Sequence, residues 1–570
     1  MSFELFMLGK ARKETIVSIG GKIMANLSQQ RREQMLSFLE TLKEQHNDDA
    51  SLIAINQIEK ELTSKKYGLV WEEHEEEVDV KMKTHIPVFT EVKEKEIVGN
   101  SESDEFNFLL EGDNLHSLRL LEKTHKGKID VIYIDPPYNT GHKDFIYDDA
   151  FVDRQDGYSH SKWISFMEKR LKIAHSLLKS SGTIFISIDD NEYANLKLLC
   201  DEIFGEENMI SDIIWNSRKS VSNDAVVSLN HNYTLVYTRN INEFNKVKHL
   251  FKLPNNENGF ANPDDDPRGP WKADPFDAPA IRPNLTYEII NPNTGEKFLP
   301  PNGRHWRTEK NKYFELLADN RIVFGKTGKS KPQQKRFLYE AKEKGATPKS
   351  LWDDCGTATD GTKELQDIFG SKAFDTPKPT GLIKKIIDLA GDKDSLILDF
   401  FAGSGTTAQS VLEKNKEDGG NRHFILCTNN DGNICSEVTY PRICTVITGK
   451  RQDGSKYSDG IATNMKYYKT DFIDKESEDI YEDLLAHIKE MIQLEYGVKV
   501  DNSKYVMIMD DEEMDDFEDN ISLYKELKTV FINQDVMLTT SQEKMLQNVE
   551  VKIIPDCYFD FELREVGELW

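Results

Sequence analysis

Hydrophobic and polar residues alternate in the middle of the chain in a way that predicts alternating strands and helices. Phe106–Leu110 is expected to be a strand, Gly112–Asn114 its turn and Leu115–Lys123 the following helix. The near-continuous apolar run Ile129–Ile134 is typical of a strand buried in a parallel sheet. Apolar residues at helical spacing then mark a helix from Ser161, on the face formed by Trp163, Ile164, Met167, Leu171, Ala174 and Leu178.

The same pattern continues to the next strand and returns later in the chain. Gly182 is predicted to end the helix, and Thr183–Ile188 to form a strand. Further on we expect a helix over Leu382–Ala390 ended by Gly391, and then strands and a helix around a glycine-rich turn. The strands are Ser395–Phe400 and Phe424–Cys427. Alternating strands and helices predict an α/β fold with a doubly wound, mostly parallel sheet.

A proline-rich stretch interrupts this pattern. Ten of the 19 prolines lie between Pro254 and Pro301, so this part cannot continue a strand–helix–strand unit. We therefore predict five regions. They are a helical N-terminal region (1–100), a first core part (101–213), an inserted recognition domain (214–370), a second core part (371–450) and an acidic C-terminal region (451–570) that serves assembly.

Composition changes this picture in one respect. The net charge of the 570 residues is −26, which argues against nucleic acid as a partner. However, residues 211–350 contain 23 basic and 16 acidic residues, a net charge of +7, and residues 303–350 alone carry +8. A basic block on an acidic body is expected either of a nucleic-acid surface or of a solvated lysine-rich surface.

Other sequence features bear on where in the cell the protein is found and on whether it binds a metal. No apolar run is long enough to span a membrane, and basic residues follow the short apolar start of the chain, which does not fit a signal peptide. The six cysteines form no CxxC pair, so we expect no metal and no disulfide framework, and a cytoplasmic protein. Asp189, Asp190 and Glu192 are expected to cap the next helix rather than to bind a metal.

The first motif with chemical meaning is Asp135-Pro136-Pro137-Tyr138, directly after the strand 129–134. Open α/β sheets bind ligands at this edge, and two prolines leave a stiff loop that presents acceptors rather than N–H donors. The Asp135 carboxylate and the Pro136 carbonyl could accept both hydrogens of a base amine, while Tyr138 stacks on the flipped base. The alternative is a rigid turn without chemistry.

The second motif joins a predicted strand to a helix through Gly403-Ser404-Gly405-Thr406-Thr407. Glycines allow close approach of a ligand, and the helix N-terminus favours its anionic end. With Ala408 the segment also fits the dinucleotide pattern, which requires an acid at the end of the next strand. Asn429 and Asn430 stand there, so a nicotinamide oxidoreductase is the less favoured alternative.

The two motifs together resemble the β-class amino-methyltransferases of DNA, and most closely the modification subunits of type III restriction systems. The resemblance covers about residues 106–470. It rests on DPPY at Asp135–Tyr138, FAGSG at Phe401–Gly405 and FDTPKP at Phe374–Pro379, with Glu111–Leu115, Ile188–Glu192, Asn262–Asp264, Pro267–Trp271 and Asn302–Arg307 as further similar segments. It implies a Rossmann-like methyltransferase that uses S-adenosyl-L-methionine and needs no metal.

The resemblance also implies roles for individual residues. Asp135, Pro136, Pro137 and Tyr138 would be catalytic. The cofactor would be bound by Asp113, Thr376, Pro377, Lys378, Phe401, Gly403, Gly405, Thr406 and Thr407. Asp113 is as well explained as a helix cap, and the residue that holds the cofactor ribose stays open.

The predicted activity is site-specific transfer of a methyl group to N6 of a flipped-out adenine, with N4 of cytosine as the alternative. DNA phosphates would be contacted by Arg304, Arg307, Lys310, Lys312, Arg321, Lys326, Lys329, Lys335 and Arg336. The resemblance further implies double-stranded DNA, a homodimer and an ATP-dependent restriction subunit as partners. A solitary methyltransferase and a non-catalytic specificity subunit are the remaining alternatives.

Overall fold

The computed structural model describes residues 35–43, 49–63, 71–72, 74–141, 146–147, 150–151, 157–255, 257–325, 327–554 and 558–566. The predicted DNA contact Lys326 and one of the six cysteines, Cys557, lie outside these residues. The chain divides into two compact units, Met1–Val70 and Trp71–Trp570. In the first unit, a helix over 35–43 and a second helix, Asp49–Thr63, are joined by an ion pair between Lys43 and Glu59.

The helices of the described residues are numbered in chain order. They are α1 (35–43), α2 (Asp49–Thr63), α3 (Glu77–Thr84), α4 (Asn114–His125), α5 (Ser159–Leu177), α6 (Tyr193–Phe204), α7 (Ile241–Val247), α8 (Lys310–Ala318), α9 (Leu338–Lys344), α10 (Ala358–Phe369), α11 (Thr380–Ala390), α12 (Thr406–Asp418), α13 (Tyr440–Thr448), α14 (Ile480–Leu485), α15 (Ile488–Tyr496), α16 (Asp511–Asp519), α17 (Thr540–Met545) and α18 (Asp560–Val566). A π-helical turn, Ile434–Thr439, leads into α13.

The strands are numbered in the same way. They are β1 (His85–Glu91), β2 (Ile97–Val98), β3 (Asn107–Glu111), β4 (Ile129–Ile134), β5 (Ile146–Tyr147), β6 (Ala150–Phe151), β7 (Leu178–Ile188), β8 (Met209–Trp215), β9 (Asn232–Thr238), β10 (Trp271–Pro275), β11 (Asp277–Pro279), β12 (Ile289–Ile290), β13 (Lys297–Phe298), β14 (Arg304–Trp306), β15 (Ile322–Val323), β16 (Gln333–Phe337), β17 (Leu351–Trp352), β18 (Leu396–Asp399), β19 (His423–Thr428), β20 (Asn464–Asp474), β21 (Tyr505–Ile508), β22 (Thr529–Asn533) and β23 (Glu550–Ile554).

One large sheet organises the second unit. Its strand order is β1-β20-β3-β19-β18-β4-β7-β9-β8-β17, with β2 paired to β20. The strands from β20 to β7 are all parallel, whereas β1 and β9 are antiparallel to their neighbours. The predicted fold class, an α/β protein with a mostly parallel sheet, is therefore confirmed.

Both faces of this sheet are covered, because alternate strand residues are buried on each side. Leu109, Val131, Tyr133 and Ile397 pack in one apolar cluster with residues of α11, α12 and α13. Their neighbours Phe108, Leu110, Ile132 and Ile134 are also buried and face the opposite side, where α4, α5 and α6 pack against one another. This arrangement explains why the central strands read as continuous apolar runs.

The predicted helices and strands of the core are present, with two corrections. The helix that begins at Ser159 ends at Leu177, so Leu178 begins the strand β7 and does not belong to the helix face. Gly182 lies inside β7 instead of ending the helix. A Cβ at this position would stand 2.9 Å from the carbonyl oxygen of Ile129 on the neighbouring strand. Gly182 is therefore explained by close packing of strands, next to a register shift between Ile129 and Val131.

The stretch predicted to be an insertion contains small antiparallel sheets. In these sheets β16 pairs with both β10 and β15, β11 pairs with β14, and β12 pairs with β13. A separate apolar cluster in the same stretch includes Phe276, Trp306 and Tyr313. β9 and β17, which also lie within 214–370, belong to the large sheet. The predicted boundaries of a recognition domain therefore stay a prediction.

The C-terminal region has a second parallel sheet, β21-β22-β23, connected by α16 and α17. It is fixed to the rest of the unit by Asp104, which forms ion pairs with Lys504 and Lys528. In the part of the chain that the structure describes, no helix is both long and apolar enough to cross a membrane. The same residues contain no cluster of three potential metal-ligating side chains.

Candidate active site

The two sequence motifs lie on adjacent strands of the large sheet. Residues 135–139, which we call the acceptor loop, follow β4, and residues 401–405, the glycine loop, follow β18. β18 pairs directly with β4 at Ile397↔Val131 and Leu398↔Ile132. Because parallel strands end at the same edge, the two loops emerge side by side. The topology thus brings together residues that are more than 260 positions apart in the chain.

Lys378 connects the two loops through its side chain and its backbone. Its ammonium group forms an ion pair with Oδ2 of Asp135. Its carbonyl accepts a hydrogen bond of 3.2 Å from Oγ1 of Thr406, the first residue of α12. The predicted catalytic motif and the predicted cofactor motif are therefore parts of one site.

The acceptor loop is already engaged in hydrogen bonds. The Tyr138 hydroxyl donates to Oδ1 of Asp135 at 2.9 Å, and burial, followed by the nearby Asp135 carboxylate, raises the pKa of this phenol. The indole N–H of Trp163, on α5, donates to the Pro137 carbonyl at 2.7 Å. Of the two proline carbonyls, only that of Pro136 forms no hydrogen bond within the described chain.

A buried carboxylate holds the end of the same loop. Glu192 accepts hydrogen bonds from Nδ2 of Asn139 at 2.6 Å and from Nδ2 of Asn195 at 2.7 Å, and it pairs with Nδ1 of His160 at 2.6 Å. Asn139, the residue after the motif, has a positive φ of 56°. Glu192 occupies the N-cap position of α6, but its side chain does not cap the helix, so that part of the capping prediction is wrong.

The glycine loop is supported from below by a second buried carboxylate. Asp399 accepts from the backbone N–H of Phe401 at 3.0 Å and from the hydroxyl of Thr407 at 2.5 Å. Burial raises the pKa of Asp399 to about 7. Both Gly403 and Gly405 adopt positive φ angles, 47° and 78°, which other residues rarely adopt.

Neighbouring elements close tightly on this loop. A Cβ at Gly403 would lie 3.2 Å from the ring of Phe374, and the Gly403 carbonyl accepts from the Thr439 hydroxyl at 2.6 Å. Fully buried Arg442 donates to Ser404 and Thr406. Thr376 has a φ of 49°, an unusual conformation for a β-branched residue and one that tends to occur at functional sites.

Two other predicted cofactor positions have structural partners. Asp113 caps α4 by accepting from the N–H of Leu115 at 2.7 Å, and it also accepts from Arg170 at 3.3 Å. Oδ1 of Asn430 accepts from the backbone and the hydroxyl of Ser436. Asn430, which stands where the dinucleotide pattern requires an acid, therefore bonds the π-helical turn itself. The ribose-binding residue stays open.

The predicted DNA-binding cations fall into two groups. Arg304, Lys312, Arg321 and Arg336 form ion pairs with nearby acids, whereas Arg307, Lys310 and Lys329 are exposed. Lys335 is wrong as a phosphate contact, because its side chain is fully buried between Asp264 and Asp266. The partners of Arg304, Lys335 and Arg336 lie at 264–277, outside the window 303–350 in which the sequence showed an excess of positive charge. The partners of Lys312 and Arg321 lie inside this window, at Glu315, Asp319 and Glu340.

Sequence reasoning missed the residues that support the two motifs. Trp163 was assigned to an apolar helix face, and Glu192 to a helix cap. Asp399 and Arg442 were not singled out. A polar residue at the end of a buried strand was the only signal available for Asp399, while nothing in the sequence connects Trp163 with Pro137.

An open, mostly parallel sheet with an acceptor loop and a glycine loop on adjacent strands defines a class of α/β proteins that bind ligands at the carboxyl edge. The N6_N4_Mtase family, described as DNA methylase, matches residues 129–438, which is more than half of the chain. The chain therefore belongs to the DNA methylase family.

Individual relatives agree with this family. The StyLTI Mod subunit, a type III restriction-modification enzyme of Salmonella typhimurium strain LT2, is 43% identical over 349 residues, which cover 56% of this chain and 52% of the relative. The type II methyltransferase M.KpnI of Klebsiella pneumoniae is 35% identical over 359 residues, which cover 58% and 82%. The chain thus spans about half the length of the first of these curated relatives.

A solved structure, PvuII DNA methyltransferase (cytosine-N4-specific), is 12% identical and covers 60% of this chain and 91% of its own, with a TM-score of 0.30. A similarity of this size carries no argument about function.

Proposed function

We propose that the protein transfers a methyl group from S-adenosyl-L-methionine to an exocyclic amine of a base in DNA. The observation that carries this proposal is the junction at Lys378, which contacts Asp135 with its side chain and the start of α12 with its carbonyl. An acceptor-rich loop and a glycine loop that are joined by contacts to one residue can hold an amine and a methyl donor close together.

The acceptor loop supplies the chemistry that an amine needs. The lone pair of a base amine is delocalised into the ring, so the amine is a poor nucleophile. Asp135 and the Pro136 carbonyl can accept its two hydrogens and favour a pyramidal nitrogen, while the Tyr138 ring stacks on the base. The Pro137 carbonyl is engaged by Trp163 and is not needed. Catalysis then rests on positioning and on stabilising positive charge at the nitrogen.

The glycine loop fits the cofactor because Gly403 and Gly405 allow a ligand to approach the backbone, and the N-terminus of α12 favours an anionic group. When bound, S-adenosyl-L-methionine supplies a methyl group that is activated by the sulfonium charge. Gly403, Gly405, Thr406 and Thr407 would line its site at the N-terminus of α12, with Thr376, Pro377 and Lys378 from the preceding loop. Phe401 and Asp113 are further proposed contacts. Asp399 and Arg442 support these residues by hydrogen bonds to Thr407 and Thr406.

We propose N6 of adenine as the acceptor, because an Asp begins the motif at Asp135. N4 of cytosine is the alternative, since the family designation covers both amines. The Mod subunits among the relatives support a further proposal, that the chain is the modification subunit of a type III system. Double-stranded DNA, a second copy of the chain and an ATP-dependent restriction subunit would be its partners.

The test is expression of the chain in a host that lacks DNA methylation. Long-read sequencing reports the modified position and its sequence context, and mass spectrometry of nucleosides identifies the base. We expect N6-methyladenine at one recurring sequence. N4-methylcytosine without N6-methyladenine would overturn the adenine proposal, and unmodified DNA would overturn the transferase proposal.

Asp135→Ala separates catalysis from binding. We expect this variant to lose methyl transfer at least about a thousandfold, because the amine loses its side-chain acceptor, while DNA binding is kept. Asp519→Ala, an exposed aspartate on α16, is the matched control and should be fully active. Unchanged transfer by Asp135→Ala would contradict the role of the loop.

A further inference from the structure

The connection between β8 and β9 is an ordered hairpin with an apolar tip. We call residues 216–231 the apolar hairpin. Val226 is fully exposed, and Val227, Val221 and Leu229 are 74%, 70% and 61% exposed. Three aliphatic side chains within four residues of a tip are costly to leave in water, so this exposure indicates a surface that becomes covered.

Hydrogen bonds hold the hairpin in shape. The Asn230 side chain donates to the carbonyls of Arg218 and Ser220 at 3.1 and 3.0 Å. Near the tip, the N–H of Ser222 donates to the Ser228 hydroxyl at 3.0 Å. At the base, the carbonyl of Ser217 accepts from the N–H of Ala358, the first residue of α10, at 3.0 Å. The apolar tip is therefore presented on a defined stem.

The hairpin leaves the sheet at the same edge as the candidate active site. β4 and β7 are parallel, and β9 is antiparallel to both β7 and β8, so β8 ends where β4 ends. At this edge Ile188 pairs with Tyr233, and Trp215 pairs with Asn232. Strand spacing puts the start of β9 about 10 Å and the end of β8 about 14 Å from β4. Both distances are smaller than the width of a DNA duplex.

Charge favours DNA over a protein as the covering partner. Arg218 and Lys219 are exposed at the stem, opposite a single exposed acid, Asp224, near the tip. Proteins that kink or open DNA combine basic residues for phosphates with an aliphatic wedge that enters between base steps. A flipped base leaves a gap in the stack, and filling this gap offsets the cost of unstacking.

We infer that the apolar hairpin is a wedge that enters the DNA duplex beside the target base, with Val226 and Val227 in the space that the base leaves. This inference rests on the proposed function, because it requires a base to be flipped into the site at Asp135. It assigns a DNA-opening role to a segment that lies outside the basic block 303–350.

The test uses the double variant Val226→Ser, Val227→Ser in the full chain. Methyl transfer is measured on two duplexes that contain the site identified by sequencing, one fully paired and one in which the target base is mispaired. We expect kcat/KM on the paired duplex to fall about 10- to 100-fold, and on the mispaired duplex less than about threefold, because a mispaired base costs less to flip. Leu523→Ser, Met537→Ser removes two other exposed aliphatic side chains and should change neither value.

Each other result overturns the inference. Equal losses on both duplexes would identify a general DNA contact, and unchanged kcat/KM would exclude a role for the hairpin. A change of sedimentation from a larger to a smaller species in the double variant would identify a protein interface, with either another copy or a partner. If the wild-type chain transfers no methyl group to any DNA, the proposed function itself fails, whereas an unimpaired variant beside an active wild type overturns this inference alone.

Discussion

The catalytic edge of the large sheet and the small sheets of residues 254–350 use charge in opposite ways. At the catalytic edge, Lys378 and Asp135 are 243 positions apart, and the fold brings the segment before α11 against the loop after β4. In the small sheets, Arg304 and Lys335 pair with acids that stabilise the same region locally. The comparison teaches that a local excess of charge does not by itself indicate a functional surface. A distant ion pair does so only where it joins motif loops, since the equally distant pairs of Asp104 with Lys504 and Lys528 connect the C-terminal sheet to the rest of the unit.

The largest effect is expected of Lys378→Met, which removes the ion pair at the catalytic edge. Loss of the ammonium group frees Asp135 from the glycine loop, so we expect the rate of methyl transfer to fall about 10- to 100-fold. Binding of S-adenosyl-L-methionine, measured by calorimetry, should change less. Lys372→Met, in the same segment between α10 and α11 but exposed and paired with Asp375, is the control and should keep full activity. Equal activity of both variants would mean that the junction has no catalytic role.

Trp163→Phe tests whether the acceptor loop is held from α5. The variant keeps an aromatic ring in the core but loses the donor to the Pro137 carbonyl, so we expect kcat to fall about tenfold with an unchanged KM for the cofactor. Trp352→Phe also removes a buried indole donor, here to the carbonyl of Lys349. This control should lose stability but not kcat. A similar kcat for both variants would contradict the role of the hydrogen bond from Trp163 to Pro137.

Asp399→Asn tests the support under the glycine loop through its pH dependence. Folding raises the pKa of Asp399 from 3.8 to about 7, so between these values the folded protein holds a proton that the unfolded chain releases. Wild-type stability should therefore fall with rising pH across this window, by about 4 kcal/mol at most, and level off above pH 7. Asp399→Asn lacks this slope. Denaturant unfolding at several pH values measures the free energy of unfolding of both proteins. A difference between these free energies that does not change with pH would contradict the raised pKa.

The smallest effects are expected in the basic region. Arg307→Ala, Lys310→Ala and Lys329→Ala should each weaken DNA binding only a few-fold and reduce the slope of log affinity against log salt by about one. Lys335→Met should leave this slope unchanged and lower the thermal unfolding midpoint, because it removes the partner of two acids. A lower salt slope for Lys335→Met would show that the buried lysine becomes accessible to DNA.

Much of the core could be predicted because hydrophobic periodicity and motif spacing are local properties. The strand Ile129–Ile134 was predicted to the residue, and the helices around Leu115 and Leu382 to within a few positions. The sheet edge at which both motifs lie could also be predicted, since parallel strands place the loops that follow them at the same edge. Gly182 was misjudged because close packing against Ile129 is a property of the neighbouring strand and not of the glycine's own segment.

The residues that hold the acceptor loop in place could not be predicted, for a related reason. Trp163 and Glu192 act on the acceptor loop through single hydrogen bonds across the sheet edge, and their sequence context resembles an ordinary helix face and an ordinary helix cap. The basic block was overvalued because a count of charges does not show which of them are paired. Arg304, Lys335 and Arg336 pair with acids that precede the block, and Lys312 and Arg321 pair with acids inside it. Strand order and side-chain pairing decide both cases, and neither is encoded in a single segment.

The most direct test of the central claim uses the purified chain, double-stranded DNA and S-adenosyl-L-methionine with a deuterated methyl group. Mass spectrometry of the nucleosides follows both the donor and the acceptor in one measurement. Our account predicts N6-methyladenine that carries the complete deuterated methyl group, made by the wild type and not by Asp135→Ala. DNA that stays unlabelled under conditions where the chain binds both ligands would contradict it.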